Sequence, residues 1–220
     1  SGMIAYINAF ARGVQIVNPQ AKVYLRWSTQ KDQNVNETLE KLDVDMISHQ
    51  DMITPGLANR KFGLYMIEED EIRGLAMPYW NWGHFYERII RSILSGSWDE
   101  VDDTEELKSI NYWWGLSSNV VDMIYSEDLP EGVQQLVQFY KRSITHLMVG
   151  PFDGYIHDQQ GRLRAQEDGY ISTNDIVTMD WLIDNVIGEI PSTAELTPDA
   201  QKLITSSQDG SSDSEGVVEL

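Results

Sequence analysis

Side chains able to do chemistry are plentiful in this chain, yet their spacing commits few of them to a reaction. Four histidines are scattered among 35 aspartates and glutamates, and there is no cysteine. That composition removes thiol nucleophiles, disulfides and thiolate metal sites. His49-Gln50-Asp51 forms an H-x-D pair that can offer two ligands to a metal, short of the three or four that a zinc site uses. The alternative is a set of polar contacts, or a hydrogen-bonded turn, at the end of a strand. With carboxylates so abundant, any pair can be nominated as acid and base, so no nomination carries weight. No GxxxxGK[ST], GxGxxG after a strand, HExxH or GxSxG occurs. Neither a metal nor a cofactor is expected, and a binding role fits these residues better than an enzymatic one.

The densest unusual feature is aromatic. Ala76-Met77-Pro78-Tyr79-Trp80-Asn81-Trp82-Gly83 lies where a run of short apolar segments gives way to a helical pattern. In open α/β folds, ligands bind where strands lead into helices, which makes Tyr79, Trp80 and Trp82 a candidate stacking wall. The competing reading makes them core plugs under a crossover, since large aromatics mostly end up buried.

The elements that must position these residues follow from periodicity. Ile4 to Val17 repeats apolar residues at helical spacing, and Asn18-Pro19 stops it. Lys22 to Trp27, Val44 to Ser48 and Phe62 to Ile67 read as strands, with a short helix from Asn34 to Leu42. Leu57 to Lys61 leaves only a short crossover. A helix follows from Trp82 to Ser95, with Gly96 as its stop. Strands in a tight meander are expected over 111–116 and 119–124. Pro130 opens the longest helix, to Met148. Phe152 to Ala165 reads as a β-hairpin turning at Asp158-Gln159-Gln160-Gly161, and Thr173 to Val186 as a helix. Helices alternating with short apolar strands point to an α/β fold whose parallel sheet has helices on both faces.

Composition sets the outer limits. With 220 residues, 41% apolar, the chain can bury a sizeable core. Its net charge of −19 argues against a nucleic-acid partner, which would need basic patches. No apolar run approaches the roughly 20 residues of a membrane helix. Residues 191–220 are acidic and Ser-rich and read as a disordered tail after a short helix at Pro198–Ile204.

The order of segments also carries a resemblance. Ile7-Asn8-Ala9-Phe10-Ala11-Arg12-Gly13, Val17-Asn18-Pro19 and Lys22-Val23-Tyr24-Leu25-Arg26-Trp27 are followed by Val44-Asp45-Met46-Ile47-Ser48-His49-Gln50-Asp51. Then come Pro78-Tyr79-Trp80-Asn81-Trp82-Gly83, Gly150-Pro151-Phe152, Gly161-Arg162-Leu163-Arg164 and Thr178-Met179-Asp180-Trp181. Over residues 3–190 this series resembles the basic membrane protein group of substrate-binding proteins, which includes the purine nucleoside receptors of ABC importers.

The resemblance implies a periplasmic-binding-protein-like (type I) lobe with a C-terminal β-hairpin and helix, the family's first lobe falling upstream of Ser1. Residues 1–190 would form the second lobe with hinge segments. The ligand would be a small, nucleoside-like molecule. His49, Gln50, Asp51 and Tyr65 would make polar contacts, with Tyr79, Trp80 and Trp82 as the stacking wall. Tyr65 stands where the family's ribose-binding aspartate would be, and the crossover before it is shorter. An ABC permease would be the partner, and the location extracytoplasmic with a membrane anchor. Self-association through the surface left by the missing lobe is a further expectation. The alternative is a cytoplasmic sensor module using the same fold without a transporter, if the full-length protein lacks a signal. An enzyme acting on nucleosides or glycosides is the remotest reading.

Overall fold

A computed structural model of the protein describes residues 2–31, 38, 41–42, 44–49, 63–68, 71–96, 115–165 and 171–202. The described residues fall into two compact units. Unit 1 draws on Ser1–Leu42 and Val149–Ser212, and unit 2 on Asp43–Met148. The architecture is mixed α/β, with a parallel strand pair and antiparallel sheets, compatible with a periplasmic-binding-protein-like lobe.

Unit 1 opens with helix α1 (Met3–Val17) and the short strand β1 (Val23–Tyr24), so only the start of the strand expected over Lys22–Trp27 is regular. Ile4, Ala5 and Ala11 of α1 join Phe152, Ile156, Ala165, Met179, Leu182, Ile183 and Val186 in a single apolar core. Asn8 and Asn185 are also buried, each 1% exposed. Asn8 Nδ2 donates to the Trp181 carbonyl at 2.7 Å and to the Met179 sulfur at 3.1 Å, and its Oδ1 accepts from the Ile183 N–H at 3.0 Å. Asn185 Nδ2 donates to the Ala11 carbonyl at 2.9 Å. Two side-chain amides therefore tie 179–185, a stretch with little regular structure, to α1.

Unit 2 contains strands β2 (Ile47–His49), β3 (Gly63–Glu68) and β4 (Glu71–Trp80), then helix α2 (Trp82–Leu94), strand β5 (Val121–Tyr125) and helix α3 (Glu131–Thr145). The sheet order is β2-β3-β4-β5, with every neighbouring pair antiparallel. Parallel pairing was expected here, because apolar strands between helical patterns normally belong to βαβ units. Parallel pairing is found instead in unit 1. The segments expected as a helix over Asn34–Leu42, a crossover over Leu57–Lys61 and a strand over 111–116 lie wholly or mostly outside the described residues. Leu116, the last residue of that expected strand, begins a 3-10 turn, Leu116–Ser118.

β4 holds the largest departure in unit 2. Ala76 to Trp80 are strand residues rather than a loop or hinge crossover, and only Asn81 separates them from α2. Pro78 is tolerated because of register. Asn81 N–H donates to the Val120 carbonyl and Ser126 N–H to the Leu75 carbonyl, which places Pro78 and its partner Met123 at a non-hydrogen-bonded pair. β3, on the other side, begins only at Gly63. Gly63 itself is obligatory: φ is +58°, and a Cβ would lie 2.5 Å from the Ala76 carbonyl oxygen.

Helix α3 starts after Pro130, carries Glu131 in its first turn and Arg142 in its last. It ends in a Schellman motif, Met148 N–H to the Ser143 carbonyl and Leu147 N–H to the Ile144 carbonyl. The left-handed position falls on Leu147, at φ 55°. That side chain is 83% exposed, so no burial offsets the backbone strain. Leu147→Gly is therefore expected to stabilise unit 2 by about 1 kcal/mol, read as a raised urea midpoint; an unchanged or lowered midpoint would count against the strain.

The rest of unit 1 runs through β6 (Ile156–His157), β7 (Leu163–Ala165), helix α4 (Thr173–Val177) and β8 (Val186–Ile187). The expected hairpin is present: β6 pairs antiparallel with β7, and Gly161 N–H returns to the Asp158 carbonyl. The helix expected over Thr173–Val186 stops after Val177, and the chain then straightens so that β8 pairs in parallel with β1, Val23 opposite Val186. Ser192 and Glu195 form a capping box, Leu196 is buried and residues 198–202 are helical. Among the described residues no helix is long and apolar enough to cross a membrane.

Candidate functional site

The exposed aromatics lie at the β4–α2 junction. Adjacent strand residues point to opposite faces of a sheet, so Tyr79 and Trp80 part company. Asn81 then accepts the Phe85 N–H and begins the helix. This turn brings Trp82 back over Trp80, with ring centroids 5.6 Å apart and planes at 21°. Phe85 meets Trp82 edge-on at 5.7 Å, and Tyr86 lies 6.3 Å from it. Trp80 is 51% and Trp82 52% exposed. Half of each large ring faces solvent, so these are not core plugs. The α2 surface continues the patch through Tyr86, Ile90 and Ile93, all exposed, and the helix has no buried residue.

On the other face, Tyr79 is the cross-strand partner of Asp122. The Tyr79 hydroxyl donates to Asp122 Oδ2 at 3.4 Å, and Lys141 of α3 forms an ion pair with Oδ1. The Lys141 ammonium holds the Asp122 carboxyl below its usual range, against the opposing effect of partial burial. The Met123 N–H and the Tyr79 hydroxyl add to the same effect. Asp122 is thus a fixed, ionised acceptor.

The other residues expected at the site lie on or after β2 and β3. Tyr65 is buried, 3% exposed, on β3 opposite Ile47. His49 ends β2, with its Cα opposite Gly63. Gln50 and Asp51 lie outside the described residues, and the H-x-D pair with them. Among the described residues no group of three or more His, Asp or Glu side chains could hold a metal ion. His84, His146 and His157 are on exposed helix or hairpin surface. Trp27 and Trp181 are half-buried against the unit 1 core, and the Arg164 guanidinium lies 5.3 Å from the Trp181 ring.

Asp122, Lys141, Arg142 and Asn119 were not singled out from sequence. All line a groove of about 340 Å³ between β5 and α3.

No protein-family model matches the chain. A purine-binding protein of Brucella abortus (strain 2308) is 26% identical over 200 residues, covering 84% of this chain and 54% of the relative. The chain therefore spans about half the length of the curated relative it matches.

Proposed function

We propose that this chain is part of a receptor that binds a purine-type small molecule without transforming it, in the manner of the basic membrane protein group. The observation that carries the reading is the stacked, half-exposed Trp80–Trp82 pair at a strand-to-helix junction. A flat base gains on the order of 1–3 kcal/mol from each aromatic platform it stacks on. Similarity to a relative named for purine binding supports the ligand class. In this reading Trp80 and Trp82 supply the wall, and Tyr79, expected beside them, is not part of it because it points to the opposite face of the sheet. His49, Gln50 and Asp51 are proposed polar contacts; Tyr65, expected with them, is too deeply buried to meet a ligand.

The test is a fluorescence and calorimetric titration of the chain with adenine, adenosine and guanosine, against arabinose and glutamate as other classes. Saturable quenching by purines is expected. Trp80→Ala and Trp82→Ala should each weaken binding about 10-fold, within the range of one lost stack, while leaving the thermal midpoint within a few degrees. Saturation by another class and not by purines would overturn the assignment.

Membership of an ABC import system, with a permease partner and an extracytoplasmic location, is the finer part of the proposal. An export signal or lipid-anchor sequence in the full-length protein supports it. A signal-less, cytoplasmic full-length protein would favour the sensor reading instead.

A further inference from the structure

The groove between β5 and α3 has a charge arrangement that the purine reading does not use. In a chain with 35 carboxylates against 16 lysines and arginines, an arginine would be expected to find an acidic partner. Arg73 lies 3.6 Å from Glu68, Arg91 bonds Glu87 at 2.7 Å, and Arg162 and Arg164 share Asp158. Arg12 and Arg26 bond amide or carbonyl oxygens instead. Among the described residues Arg142 has neither kind of partner. Its helical neighbours at i±3 and i±4 are Gln138, Phe139, Thr145 and His146, none of them acidic. Across the groove the acid is Asp122, and its charge is already balanced by Lys141. Among the described residues the groove thus carries one surplus positive charge, on a guanidinium whose N–H donors meet no protein acceptor. A cation in the last turn also suits the helix macrodipole, but that effect leaves the donors unspent.

Two further features suit a ligand. Asn119 lines the same groove and is held in the left-handed conformation, φ 58°, by the 3-10 turn before it. Among the described residues its side-chain amide makes no hydrogen bond either. The volume, about 340 Å³, is enough for a small organic molecule. A planar guanidinium fork beside an amide N–H₂ matches two oxygens of one carboxylate or phosphate group.

We propose that this groove is a second ligand site, which accepts a small oxyanion, a carboxylate or a phosphate group, on Arg142 and Asn119. It stands independently of the purine reading, because neither tryptophan takes part.

The experiment is ¹H–¹⁵N NMR of the labelled chain at low ionic strength, titrated with inorganic phosphate and separately with succinate, with sodium chloride matched for ionic strength. Saturable shifts of the Arg142 Nε–H and the Asn119 side-chain amide are expected with phosphate, succinate or both, and not with chloride. Arg142→Gln should weaken the fitted Kd at least tenfold, and Asn119→Asp should do the same by placing a like charge beside the anion. Aspartate tolerates the left-handed backbone, so this variant keeps the fold. Arg91→Gln, which removes an exposed arginine paired with Glu87, should leave Kd unchanged. Phosphate alone saturating would assign a phosphorylated ligand, succinate alone a carboxylate, and both the shared oxyanion chemistry. Equal shifts with chloride, or a Kd indifferent to both groove variants, would overturn the proposal.

Discussion

Replacing Asn8 by leucine is expected to destabilise unit 1 by roughly 2–5 kcal/mol, since each buried polar group left without its partner costs about 1–3 kcal/mol. The side chain is 1% exposed, and no water can take its place without opening the core. Leucine is close in volume, so the loss is not a cavity effect. What is lost is the acceptor for the Ile183 N–H and the donor to the Trp181 carbonyl. Those partners sit in a stretch whose backbone is otherwise bonded to the hairpin, Asp184 N–H to the His157 carbonyl and Gln159 N–H to the Leu182 carbonyl. Loosening it therefore also loosens β6 and the register of β8. The thermal midpoint should fall on the order of 10 °C. Gln15→Ala, which removes an exposed hydrogen bond to Asp184, should change it little. A fall no larger for Asn8→Leu than for Gln15→Ala would show that α1 is held by apolar contact alone.

Asn8 also marks the limit of what periodicity can reveal. Counting apolar residues places α1 correctly and gives it an inner face of Ile7, Phe10, Ala11, Val14 and Val17, of which Ala11 alone is buried. The buried positions are Ile4, Ala5, Asn8 and Ala11, while Phe10 and Val17 are exposed. A pattern that scores asparagine as polar turns the helix toward solvent at the very residue that anchors it. The same blindness extends the last helix too far. Met179, Leu182 and Ile183 repeat like a helix face, yet they are buried from an irregular stretch whose polar groups are satisfied by Asn8, Asn185 and the hairpin. β4 was hidden by Pro78 and Gly74, which count against a strand interior. Only the pairing with β5 shows that the Pro78 nitrogen takes no part in a ladder bond there. The hairpin was legible because its turn residues act locally. The groove was not, because the pairing of Asp122 with Lys141 beside Arg142 is a property of β5 and α3 together and has no signature along the chain.

Asp158→Asn is expected to destabilise unit 1 at neutral pH, and most of that cost should disappear in acid. Asp158 is fully buried in the hairpin turn, 0% exposed. Its Oδ1 accepts the N–H groups of Gln160 and Arg162, and its Oδ2 accepts Nε–H from both Arg162 and Arg164 at 2.8 Å. Asparagine can keep the first pair of bonds. It must then turn an N–H₂ toward two guanidinium groups, donor against donor. Burial by itself would raise this carboxyl; the Arg162 N–H, the two guanidinium groups and the Gln160 N–H outweigh it and bring the group down to about 2 from an ordinary 3.8. The sign follows from that depression. The folded state binds the proton more weakly than the unfolded state, so the stabilisation is complete above the ordinary value. It is lost as pH falls from about 3.8 through about 2. Urea midpoints of the wild type and Asp158→Asn should therefore be far apart at pH 7 and converge as the pH approaches 2. The other carboxylates titrate in both proteins and cancel in the difference. Arg162→Gln should cost less than Asp158→Asn, because the Arg162 side chain is 62% exposed and water can replace part of what it gives up. A wild-type-to-variant gap that stays constant from pH 7 to pH 2 would mean that the ionised carboxylate contributes nothing and that the turn is held by its backbone bonds alone.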